Sequence, residues 1–79
     1  MRLKPSDTFR RNLALVIEDR GMTIQCLADL ARTHRPNMSR ILSGHEHVSL
    51  ERAGRIAKGL DIPLCDLLDV DFRIPQEIS

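Results

Sequence analysis

The apolar residues of this chain recur at spacings of three and four in short runs, and the runs break at Gly21, at Arg32-Thr33, at Gly44 and before Pro63. That period gives each run one apolar helical face, so the fold must be built from short helices packed on one another. Phe9, Leu13, Val16 and Ile17 form the first face, on a helix running from Asp7 to Arg20. Gly21 ends it in the left-handed conformation, and Ser6 or Asp7 caps its start. Thr23 caps a second helix that runs through Ala31, with Ile24, Leu27, Ala28 and Ala31 inward.

A third helix opens at His34, because Pro36 fits a first turn, where its missing N–H has no intrahelical partner anyway. It runs to Leu42 or Ser43, with Met38, Ile41 and Leu42 inward and Arg35, Asn37, Ser39 and Arg40 outward. Gly44 stops it, and the polar loop His45-Glu46-His47 leads to Ser49, the cap of a fourth helix over 50–59. Leu50, Ala53, Ile56, Ala57 and Leu60 supply that helix's apolar stripe, and Pro63 opens a fifth helix over 63–68 with Leu64, Leu67 and Leu68 inward. After this the period changes. Val70, Phe72 and Ile74 alternate with Asp71 and Arg73, the pattern of a short strand, before Pro75 interrupts it. A lone strand needs a partner, and a second copy of the chain is the nearest one. The expectation is an all-α domain of five helices over 1–69 and an extension over 70–79 that carries a dimerisation strand, with Val70, Phe72 and Ile74 at the dimer interface.

Seventy-nine residues hold one small core, which disfavours an enzyme with a deep enclosed pocket. No catalytic set is evident: there is no Gly-rich phosphate loop and no Ser-His-Asp arrangement. No cofactor is called for. With Phe9 and Phe72 the only aromatic residues, the chain has almost no surface on which unpaired bases could stack, which disfavours single-stranded nucleic acid as a ligand. No apolar run is long enough to span a membrane and no secretory leader is present, so a cytoplasmic protein without membrane contact is expected. Cys26 and Cys65 have apolar neighbours and no CxxC spacing, and are read as reduced core residues.

The net charge of +1 conceals an uneven distribution. Residues 1–60 carry eleven Lys and Arg against six Asp and Glu, a balance of +5, while the remainder has Arg73 against five acids, a balance of −4. Between Arg32 and Arg40 stand three arginines, one histidine and no acid, a cluster suited to neutralising phosphates. Two short helices joined by a tight turn, the second presenting Arg, Asn and Ser outward, make the helix-turn-helix arrangement whose second helix enters the DNA major groove.

From Gly21 to Leu68 the chain also resembles the Cro/C1-type, or XRE-type, helix-turn-helix domain of phage repressors and small bacterial regulators. The matching pieces are Gly21-Met22-Thr23, Leu27-Ala28, Met38-Ser39-Arg40-Ile41 with Gly44, Ser49-Leu50-Glu51, Ile56-Ala57-Lys58, and Leu64 with Asp66-Leu67-Leu68. They fall in order at the family's spacing without a gap. The resemblance implies a compact five-helix domain that binds double-stranded DNA as a homodimer. It also implies that Arg35, Pro36, Asn37 and Arg40 face the bases. Arg matches guanine O6 and N7, and Asn matches adenine N6 and N7, with two hydrogen bonds each, whereas Pro36 shapes the turn and touches a thymine methyl. Phosphate contacts are implied at Thr23, Thr33, His34, Ser43, Gly44 and His45, where backbone amides and short polar side chains meet the DNA strand.

Three positions depart from the family pattern. Ile24 stands where a Gln supports a phosphate contact, Arg32 where the turn prefers glycine, and Asp61 at a second such glycine. Arg32 therefore either adopts a left-handed conformation, at about 1 kcal/mol, or the turn differs. Other readings are a packing or toxin-binding module on the same fold, as in antitoxins, and a metal site at His34, His45 and His47. The basic outward face of the third helix counts against the first, and the unfamiliar spacing without a nearby Cys counts against the second.

Overall fold

The computed structural model describes residues 4–74 and is all-helical, with helices α1 (Pro5–Arg20), α2 (Ile24–Leu30), α3 (Arg35–Ser43), α4 (Leu50–Leu60) and α5 (Leu64–Leu67). α1 starts two residues earlier than its apolar pattern suggests. Pro5 occupies the first turn and Lys4 is the N-cap, without a side-chain capping bond. Asp7, read as a cap from the sequence, instead pairs with Arg10 one turn on. At the other end Gly21 takes φ +61, and the Gly21 and Met22 amides donate to Glu18 O and Ile17 O. That is the left-handed closure expected of a glycine at this position.

Thr23 and Ser49 cap their helices as their chemistry predicts: Thr23 Oγ1 accepts from the Cys26 amide at 3.1 Å and Ser49 Oγ from the Arg52 amide at 3.1 Å. Of the two outcomes open for Arg32 the left-handed one holds, at φ +54, and Asp61, the other position where the family has glycine, sits at φ +59. Arg32 therefore adopts the left-handed conformation within the α2–α3 turn, and Asp61 does so as the C-cap of α4.

One core holds the molecule together. Phe9, Leu13 and Val16 from α1, Leu27 and Ala28 from α2, Met38 and Ile41 from α3, Ala53, Ile56, Ala57 and Leu60 from α4, and Leu67 from α5 are all buried, as is Ala31 in the turn. α3 rests on α2 and α1, while α4 packs against α2 and α5. The α2–α4 approach is close enough that a Cβ at Gly59 would lie 2.8 Å from Leu30 O. Four sequence expectations fail here. Leu50 and Leu68, expected on inward stripes, are exposed, Leu50 by 75%, because each stands at a helix end that none of the described elements covers. Cys26 and Cys65 are exposed free thiols, not core residues, since the helical period turns them away from Leu27 and Leu67.

Among the described residues the chain after α5 forms no strand. Asp69 accepts the Asp71 amide on its side chain and the Phe72 amide on its carbonyl, curling residues 69–72 into a turn. Asn12, fully buried on α1, donates to Leu67 O at 2.9 Å and Asp69 O at 2.8 Å, and Arg11 donates to Val70 O. These anchors bring Phe72 and Ile74 back onto the molecule's own core, where both are half-buried, and leave Val70 exposed.

Candidate nucleic-acid interface

α3 has nine residues, and its N-cap His34 makes no side-chain capping bond, so the first-turn amides of Arg35 and Asn37 have no intrahelical partner. Pro36 has no N–H to lose. At about 100° per residue, Pro36, Ser39, Arg40 and Ser43 lie opposite the buried Met38 and Ile41, with Arg35 and Asn37 on the two flanks. Arg35, Pro36 and Arg40 are exposed and Asn37 is half-buried. Neither Arg35 nor Arg40 makes an ion pair; among the described residues such pairs join only Arg10 to Asp7 and Arg52 to Glu46. The two guanidiniums are thus free to take acceptors from outside the molecule, each with the planar fork that suits a guanine edge or a phosphate.

The helix ends in an exposed polar loop. Gly44 takes φ +85, and the His45 amide donates to Arg40 O at 2.9 Å. Ser43 Oγ donates to Arg40 O at 3.2 Å and stands 2.8 Å from His45 Nδ1, which clusters two of the anticipated phosphate ligands. The structure adds a residue that sequence reasoning missed: the Arg10 guanidinium lies over Gly44, so that a Cβ there would come within 2.5 Å of Arg10 Nη1. No sequence signal pointed to it, because α1 and this loop meet only through the tertiary fold.

The remaining anticipated ligands are less uniform. Thr23 is exposed at the start of α2, its hydroxyl oxygen already capping the helix. Thr33 is half-buried, with its amide donating to Ala28 O and its hydroxyl to Ala31 O, so in this arrangement it holds the turn together and has no donor free for an anion. His34 is exposed beside the helix start. Among the described residues no group of three or more His, Cys, Asp and Glu side chains converges into a metal-holding arrangement, so His34, His45 and His47 are not brought together.

The family model for the Cro/C1-type HTH DNA-binding domain matches residues 12–72, more than three-quarters of the chain. The chain belongs to that family. Its Cro/C1-type character makes it a helix-turn-helix, XRE-type domain of transcription regulation that binds double-stranded DNA. Comparison with curated proteins and with solved structures gave no match. Among the described residues no helix is long and apolar enough to cross a membrane.

Proposed function

We propose that this Cro/C1-type domain binds, as a homodimer, an operator of two inverted half-sites about one helical turn apart, each copy placing α3 in one major groove. The observation that carries this is the outward face of α3, where Arg35 and Arg40 are exposed and unpaired beside amides without helical partners. Arg35, Asn37 and Arg40 read base edges. Pro36 shapes the first turn and meets a thymine methyl. Thr23, His34, Ser43, Gly44 and His45 set the register on phosphates, together with Arg10. Thr33 joins them only by releasing Ala31 O.

Selection of bound duplexes from a random pool, run with the wild type and with Arg35→Ala and Arg40→Ala, tests the assignment. Each variant is expected to lose preference at one position per half-site, worth about 1–3 kcal/mol of discrimination. Uniform weakening with an unchanged consensus would transfer both arginines to the phosphate-binding set.

A further inference from the structure

Where the C-terminal halves of α2 and α4 meet, they leave a hollow that none of the DNA-reading residues lines. Its volume is about 340 Å³, with buried Ala31 and half-buried Gly59 as its floor and exposed Leu30, Arg32, Arg55 and Lys58 around them. Half of the lining residues are cations and none is an acid. Among the described residues none of the three cations forms an ion pair. Asp29, the acid nearest Arg32 in sequence, accepts instead from Gln25 Nε2 at 2.8 Å. Arg55 and Lys58 stand one turn apart on α4, so their charges repel until something negative comes between them. Arg32 adds a separate observation. It holds a left-handed backbone, where glycine would sit without strain, and its exposed side chain makes no ion pair that offsets the cost. Strain kept at an exposed cation beside a hollow points to binding.

We propose that this hollow binds a small phosphorylated ligand of the nucleoside diphosphate class, with its two phosphates among Arg32, Arg55 and Lys58 and its uncharged body against Leu30. The charges match, since a diphosphate carries about three negative charges at neutral pH. The volume calls for more than a bare phosphate, because small-ligand pockets begin at about 300 Å³. Leu30, 45% exposed, supplies the apolar wall that the body of such a ligand covers. Guanidinium planes suit both paired phosphate oxygens and the flat face of a base. DNA is the rival ligand for any basic surface here. The hollow, however, is recessed, and it lies at the far end of α2 from Thr23, about 10 Å away along the helix. Arg32 stands three residues before Arg35, so a ligand held here touches the turn that leads into α3.

Titrating the full chain with ADP and with UDP at 0.15 M salt, followed by amide NMR shifts, tests the site, with adenosine and pyrophosphate as further probes. The diphosphates are expected to shift the amides of residues 30–33 and 55–59 saturably, half-complete at or below about 1 mM, and adenosine to shift none. Pyrophosphate should bind more weakly than either, because it leaves Leu30 uncovered; equal binding overturns the part assigned to Leu30. Arg55→Gln and Lys58→Gln, both at exposed positions, should each weaken ADP about tenfold. Arg32→Gly removes strain and cation together, so it should melt no lower than wild type yet lose at least about tenfold in ADP affinity. No saturable shift with either diphosphate overturns the site, as does an ADP affinity unchanged in Arg32→Gly. So does a double Arg55→Gln, Lys58→Gln variant that binds ADP normally but shows a flatter salt dependence on duplex DNA, which would give the cluster to the DNA backbone.

Discussion

Two residues show how local chemistry and distant contacts divide the work. Arg32 carries a left-handed backbone at φ +54 in the turn between α2 and α3, a conformation that costs a residue with a Cβ about 1 kcal/mol. Arg32→Gly relieves that strain but loosens the unfolded chain, so urea unfolding is expected to show a gain between zero and about 1 kcal/mol, with the selected DNA sequence unchanged. A loss of stability would mean that the Arg32 side chain holds the turn by contacts that outweigh the strain. Asn12 is the opposite case, ordinary in backbone and decisive in contacts. Its amide serves Leu67 O beyond the end of α5 and Asp69 O, which it shares with the Phe72 amide. Asn12→Ala should cost about 2–3 kcal/mol in urea unfolding, from two lost bonds and the Leu67 carbonyl left without a donor. Asn12→Asp should cost at least as much, because it sets acceptors against acceptors.

At the scale of the helices, what could be read from the sequence was what the chain decides within a few residues. Gly21, Thr23, Gly44 and Ser49 end or cap helices through bonds to neighbours three to five positions away, and all four stand where their chemistry puts them. The outward set on α3 was legible for the same reason, since the buried Met38 and Ile41 fix the opposite face. Exposure of Leu50, Leu68, Cys26 and Cys65 was not legible, because it depends on which element arrives above each helix face. The alternation from Val70 to Ile74 misled, since bonds from Asn12 and Arg11, more than fifty residues away in sequence, bend that segment onto the core. Arg10 over Gly44 belongs to the same class. The glycines of α4 make the distinction measurable. A Cβ at Gly54 meets nothing within 4 Å, whereas one at Gly59 lies 2.8 Å from Leu30 O. Gly54→Ala should raise stability by about 0.5–1 kcal/mol through helix propensity alone. Gly59→Ala should lower it by about 1–3 kcal/mol, since α4 must move off α2, and thermal melts of the two variants should shift in opposite directions.

Over the whole molecule, the charge distribution decides how DNA affinity responds to salt. The positions proposed for phosphate, Thr23, His34, Ser43, Gly44, His45 and Arg10, offer amides, hydroxyls and imidazoles, and Arg10 is the one permanent cation in that set. Counterion release follows the number of phosphates neutralised by Lys and Arg, so helix and loop amides add affinity without adding salt dependence. In the proposed homodimer, Arg10 from two copies, with part of the charge of Arg35 and Arg40, would neutralise about two to six phosphates. The logarithm of the association constant should then fall against the logarithm of salt concentration with a slope between about −2 and −5. The acidic stretch from Asp61 onward does not steepen it, since carboxylates displace no cations from DNA. Anisotropy titrations across a fourfold range of salt measure the slope, and Arg10→Gln should flatten it by up to about 2, one unit per copy. A slope near −10 would show many more lysines and arginines on the backbone than α3 and its flanks present, and would place the DNA across the basic surface formed by Arg32, Arg55 and Lys58 as well.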